Sequence, residues 1–251
     1  MPDVKPPPIR SNGAIGVMTD SPLGILGGMG PLASAEFLKT IYETGISGPE
    51  QDSPACILYS DPSVPDRTEA ILLGCEDDML NRLTLALENL CQLNVRRIVI
   101  ACVTSHHLLP RLPAHLSGKI VSLLDLIIAE VLLSRKRSLL VCSNGTRKKK
   151  LFEQHPQWSE AEQFIVPPND EDQAAVHSLI YRLKQNGSAK DAMHCLSDIL
   201  QKYQLDSFIA GCTEIHLLTK YLLAEKAQAD KFNAIDPLMT LARDLKGFTN
   251  A

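Results

Sequence analysis

Short apolar runs alternate along this chain with longer stretches whose apolar residues return every three or four positions, the pattern of strands interleaved with amphipathic helices. LGIL at 23–26 reads as a strand, and a glycine turn after it opens a helix, ASAEFLKTIYETG. ACILYS at 55–60 reads as a second strand, and the leucines of MLNRLTLALENLCQL at 79–93 have helical spacing. RRIVIAC at 96–102 is a third strand running into a helix start, TSHHLL, and KIVSLLDLIIAEVLLS at 119–134 is a short strand and then a helix. The order then begins again. SLLVCSNGTRKKKLFEQ at 138–154 is strand, glycine turn and helix, and QFIVPP at 163–168 is a strand. QAAVHSLIYRLKQNG at 173–187 and DAMHCLSDILQKYQL at 191–205 are helices. DSFIAGC at 206–212 is a strand, TEIHLLTKYLLAEKA is the closing helix, and FNAIDPLMTLARDLK follows.

Strands separated by helices imply parallel sheets with helices on their faces. Gly28 and Gly145 mark glycine turns at similar distances ahead of two cysteine-bearing strands. The expected fold is therefore α/β, with two pseudo-symmetric domains, each a small, mainly parallel sheet flanked by helices. A ligand cleft would lie between them at the carboxyl ends of the strands. The expected division is a flexible tail at 1–20, a first domain at 21–120 plus 236–251, and a second at 121–235.

Composition narrows the function. The 251 residues are 45% hydrophobic with a net charge of −4, so no basic footprint for nucleic acid and no polybasic membrane anchor is present. No apolar run approaches the roughly 18–20 residues of a membrane span. The first twenty or so residues, rich in Pro, Gly and Ser, lack the long apolar centre of a secretory signal. A cytoplasmic, reducing location is expected, and the seven cysteines are read as thiols rather than bridges.

Two of those thiols stand in matched settings, IACVTSHH at 100–107 and IAGCTEIH at 209–216. A cysteine at a strand end and a helix start faces free N–H groups and the positive end of the helix dipole, which lowers a thiol pKa. Thr104 and Thr213 can supply hydroxyl or backbone N–H groups beside the sulfurs. If the halves face each other, Cys102 and Cys212 meet across a small-molecule pocket. One thiolate could then take a proton from a carbon while the opposite thiol returns one to the other face, inverting that carbon with no cofactor. The carbanion between the two steps needs electrostatic stabilisation. Two other readings exist. Each cysteine could be a buried small hydrophobe, or Cys102 with His106 and Cys212 with His216 could form a Cys2His2 zinc site, without the usual close Cys–Cys spacing.

GMGPLA at 28–33 matches a dinucleotide fingerprint after a strand, but no acidic residue ends the second strand at the usual distance. The same turn could cradle a carboxylate on its N–H groups, or be only a tight strand–helix connection. In SDPSVPDRTEAIL at 60–72, Arg67 falls on an expected loop beyond the strand end, where it could hold a carboxylate bidentately or sit in solvent. The run Arg147, Lys148, Lys149, Lys150 reads as a solvated helix face. His155, His177 and His194 have no evident partner, and Asp125, Glu130 and Asp236 join no constellation.

With LGILGGMGPLASAEF, SDPSVPDRTEAIL, IACVTSH and IAGCTEI in view, spread over 23–216, the chain resembles the aspartate/glutamate racemase superfamily, and within it the cofactor-independent aspartate racemases. The resemblance implies racemisation of an acidic amino acid by a two-base mechanism without pyridoxal phosphate, no metal, and a homodimer. It implies Cys102 and Cys212 as the paired acid and base and Arg67 as a carboxylate ligand. Gly28, Met29 and Gly30 would line the site, Thr104 and Ser105 would meet the α-carboxylate, and Thr213 and Glu214 would contact substrate from the other half. Lys184, in RLKQNG, stands for a basic residue the family places in a Lys-x-Gly context, with one residue too many before the glycine. Val103 departs from the family's Asn between Cys and Thr, and a valine cannot donate to a carboxylate. That departure leaves two alternatives: a carboxylic-acid isomerase, lyase or decarboxylase, or a ligand-binding relative without turnover.

Overall fold

The first apolar run forms β1, Leu23–Gly27, with all five residues buried. The computed structural model describes residues 21–45, 48–225 and 231–245, so the expected tail at 1–20 lies outside the described residues. After β1 the backbone turns at Gly28, whose φ is +90°, in the region that side chains disfavour. A methyl group there would overlap the backbone of Asp61. Pro31, pre-set for a helix start, opens α1, Pro31–Gly45.

The first half continues with β2, Cys56–Ser60; α2, Arg67–Leu73; α3, Glu76–Gln92; and β3, Arg97–Ile100. A 3-10 helix, Thr104–Arg111, with Pro110 inside it, replaces the α-helix expected after the cysteine. Next come α4, Ala114–Ser117, and α5, Leu123–Ser134, whose N-terminus is capped by the Ser122 hydroxyl. The second half holds β4, Ser138–Cys142; α6, Asn144–Lys148; α7, Trp158–Ala161; β5, Ile165–Val166; α8, Asp170–Lys184; α9, Ala189–Lys202; β6, Ser207–Gly211; and α10, Ile215–Ala224. It ends in β7, Asn233–Ile235, and α11, Pro237–Arg243, whose first turn is capped by Asp236.

Two parallel sheets result, in the orders β2-β1-β3 and β5-β4-β6-β7. The three strands of the first sheet correspond in order to the first three of the second. The short strand expected at the start of 119–134 is a single parallel bridge, Ile98 to Ile120, in the place that β7 takes in the second sheet.

Period-two alternation gives each sheet two apolar faces. Ile25, Val99, Leu140, Ile209 and Ile235 share one cluster with Phe37 and Ile127, so residues of both halves pack in one common core. The opposite faces pack separately. Leu26, Ile98 and Ile100 lie with Leu83 and Leu87 of α3, and Val141, Phe208 and Ala210 lie with Ile180 and Leu196 of α8 and α9. Cys102 continues the Ile98–Ile100 face, and Cys212 continues the Phe208–Ala210 face. The two cysteines are therefore in matched parity as well as matched sequence. No helix among the described residues is long and apolar enough to cross a membrane.

Candidate active site

Cys102 and Cys212 follow the carboxyl ends of β3 and β6 and are 5% and 6% exposed. They lie close enough for charge on Cys102 to act on Cys212. Helix dipoles do not govern the second sulfur as the sequence suggested. Burial comes first, then the neighbouring Glu214 carboxylate, and together they push the Cys212 thiol well above its ordinary pKa, with Lys184 pulling the other way.

Arg67 is not on an exposed loop. It is the first residue of α2, behind the N-cap Asp66, and only 7% exposed. Its Nη2 donates to the Met29 carbonyl at 2.8 Å, and its Nη1 donates to the Pro65 carbonyl at 3.0 Å and to that of Val64. Burial opposes its charge, but Cys102, Asp66 and Glu214 more than offset that and raise its pKa. The guanidinium is thus a fixed cation beside Cys102 and under the glycine turn.

Lys184, at the end of α8, approaches from the other half. Its Nζ lies 3.2 Å from Asp66 Oδ2 and 4.2 Å from the centre of the Tyr181 ring. Burial lowers its pKa, but the charges of Cys212 and Glu214, with help from Asp66, outweigh that and raise it. Asp66 is the joint between the halves. Its Oδ1 accepts the Tyr181 hydroxyl at 2.6 Å and the N–H groups of Thr68 and Glu69. Burial disfavours the Asp66 carboxylate, yet these donors and Lys184 hold its pKa at about 2.

Glu214, 1% exposed, takes a hydrogen bond from Cys212 Sγ on Oε2 at 2.8 Å. Its Oε1 points over Gly30, where any Cβ would overlap it. Thr213 Oγ1 donates to the Ala101 carbonyl at 3.0 Å, tying the second cysteine's turn to the first cysteine's strand end. Thr104 is held in return by the second half, with its hydroxyl 3.0 Å from Ser143 Oγ and 2.9 Å from Thr146 Oγ1. Ser105 Oγ is 3.4 Å from Met29 Sδ. Val103 is 1% exposed and packs in the common core with Phe37 and Leu124.

The histidines act on the scaffold. His106 faces the Cys102 carbonyl with Nδ1 at 3.0 Å, so Nδ1 carries the proton, and Nε2 accepts the Leu123 N–H at 3.0 Å. Burial pushes its pKa to about 4, so it holds the Cys102 backbone as a neutral ring. His216 is 2.7 Å from Asp236 and 3.0 Å from Thr40, joining α10 to α11 and α1. The ring nitrogens of both histidines are thus engaged away from the sulfurs, which argues against the Cys2His2 zinc reading.

Several further pairings lay outside the sequence reading. Glu76 bridges His107 and Lys149, so the basic run is partly paired across the halves, and Arg147 pairs with Asp170 at 2.8 Å. His155 pairs with Asp125 at 3.1 Å, and His177 lies against the Tyr181 ring. Asp236 forms the pair with His216 just described. The joint made by Asp66 and Tyr181 was also unforeseen, although Asp after Pro and before Arg-Thr-Glu is an N-cap signal. A surface groove of about 850 Å³ lies elsewhere, beside α1, α10 and the end of α8, and neither thiol lines it.

Two matched α/β halves thus carry buried thiols at equivalent strand ends, with the cations Arg67 and Lys184 beside them. The chain belongs to the Asp/Glu/Hydantoin racemase family, whose pattern matches residues 26–245. It is thus a member of a family of racemases, which are isomerases. The fold is similar to that of an aspartate racemase from Picrophilus torridus, 24% identical, with a TM-score of 0.78 over 92% of this chain and 94% of that one. It is similar also to an aspartate racemase homologue from Pyrococcus horikoshii, at 20% identity and a TM-score of 0.64 over 92% and 100% of the two chains. A glutamate racemase from Campylobacter jejuni shares 18% identity and a TM-score of 0.56 over 90% of this chain and 84% of that one.

Proposed function

We propose that the protein interconverts the enantiomers of an acidic amino acid, aspartate or glutamate, with Cys102 and Cys212 carrying the proton on opposite faces of Cα and no pyridoxal phosphate taking part. One observation carries the reading: buried thiols in matched parity follow β3 and β6, with the buried cation Arg67 on the side of the first and Lys184 acting on the second.

The chemistry follows from the charges. A thiolate on one face removes the α-proton, and the thiol on the other face delivers one. Between those steps negative charge builds on the α-carbon and its carboxylate. Arg67 is fixed by three backbone carbonyls, so it can stabilise that charge with little reorganisation. Lys184 supplies a second cation for the side-chain carboxylate. Thr104 and Ser105, beside Cys102, offer backbone N–H groups to the α-carboxylate, while their hydroxyls are held by Ser143, Thr146 and Met29.

The test is turnover in D2O with each acidic amino acid and no added cofactor. Deuterium at Cα of the product enantiomer, lost on Cys102→Ala and on Cys212→Ala, is the expected result.

A further inference from the structure

Thr104 is held at both its side chain and its carbonyl. The hydroxyl lies 2.9 Å from Thr146 Oγ1 on α6. The carbonyl faces His107 Nδ1 at 2.6 Å, His107 Nε2 meets Glu76 Oε1, and Glu76 Oε2 accepts from Lys149 Nζ at 2.6 Å. Lys149 directly follows α6. The contacts close into a ring, from Thr104 through α6 of the second half to Glu76 and His107 and back to Thr104. Burial works against charge on Glu76, but Lys149 and His107 outweigh it and lower its pKa, so Glu76 is a carboxylate. A carbonyl and a carboxylate only accept, so both ring nitrogens of His107 donate.

We propose that His107 is a positioning residue: by holding the Thr104 carbonyl it aims the Ser105 N–H at the α-carboxylate of the substrate, and Glu76 with Lys149 fixes that aim from the other half. The proposal rests on the cleft being the seat of an acidic amino acid, and it names what orients a donor there.

The peptide unit carries the argument. The Thr104 carbonyl and the Ser105 N–H belong to one planar trans unit and point in opposite directions, so fixing one fixes the other. A donor on the carbonyl also polarises the unit and strengthens its N–H. Thr104 and Ser105 open the 3-10 helix, at positions whose N–H groups have no partner inside it. Their hydroxyls are engaged by Ser143, Thr146 and Met29, so the backbone is what these residues can offer. His106 is spent on the Cys102 carbonyl and does not take its neighbour's place. The His107 side chain is 6% exposed and that of Glu76 is 16% exposed, so water competes little for either contact.

Calorimetric binding to the full chain tests the proposal, comparing aspartate with its α-amide and glutamate with its α-amide. The change is confined to the group that the Ser105 N–H would meet. Wild-type protein should prefer its acid over the amide by about tenfold or more, the order of a charge-assisted contact. His107→Leu should cut that preference by about threefold or more. His107→Asn, whose amide nitrogen can reach the same carbonyl, should restore most of it. Glu76→Ala frees the ring and should cut the preference by a smaller factor, and it serves if His107→Leu does not fold. A preference unchanged in both His107→Leu and Glu76→Ala, with acid and amide weakened alike, would overturn the proposal, as would a loss that His107→Asn fails to restore. Deuterium exchange at Cα is read separately. Exchange with an unchanged preference removes the positioning role and keeps the racemase reading, and a preference cut as expected in a protein without exchange does the reverse.

Discussion

The Cys212 thiol donates to Glu214 across 2.8 Å, and both groups are buried. Burial and this carboxylate hold the sulfur in its thiol form. Thiolate is the species that alkylates. Cys212 should therefore react slowly with iodoacetamide at neutral pH, and Glu214→Gln should speed that reaction by about threefold or more. Peptide mass spectrometry separates this site from the exposed Cys75.

Asp66 joins the halves through Tyr181 and Lys184. Its folded pKa, about 2, lies below that of the unfolded chain, so its contribution is complete above about pH 4 and lost as pH falls through about 2. Asp66 is partly open to solvent, which discounts the effect. Asp66→Asn should cost about 1–2 kcal/mol at pH 6. The gap from wild type in urea unfolding should shrink as the pH approaches 2.

His106 gives the opposite window. The unfolded ring takes a proton near its ordinary value of 6.5 and the folded ring near 4, so between these the unfolded state binds more protons. Stability should rise with pH across that interval and be complete above it. Wild-type protein should lose about 3 kcal/mol more than His106→Gln on acidification through the window, read from urea midpoints.

Val103→Asn would restore the residue type the family writes there, but in this fold it would bury an amide among Phe37, Leu124 and Ile127. It should lower stability by about 2–3 kcal/mol, seen as a fall in Tm, rather than improve activity.

Much of this was legible in the chain. The strands ending at Cys102 and Cys212 came from their apolar runs, and their matched parity follows from equal strand phase. Lys184 reaches the cleft despite the extra residue before Gly187, because α8 runs unbroken to it and a long side chain absorbs the offset. Arg67 was misplaced on a loop because two prolines precede it, although Asp66 in the N-cap position marks the helix start. The expected lowering of the Cys212 pKa did not appear, since burial and then a carboxylate in contact push it up. The Thr40–His216–Asp236 chain and the Glu76 bridge join residues far apart in sequence, and no local period encodes such pairs.

The central claim is proton exchange at Cα by two opposed thiols, and product analysis in D2O tests it most directly. Incubated with L-aspartate or L-glutamate alone, the protein should form the D-enantiomer carrying deuterium at Cα, and neither Cys102→Ala nor Cys212→Ala should form it. Wild-type rates in both single variants, or no exchange with either amino acid, would contradict the account.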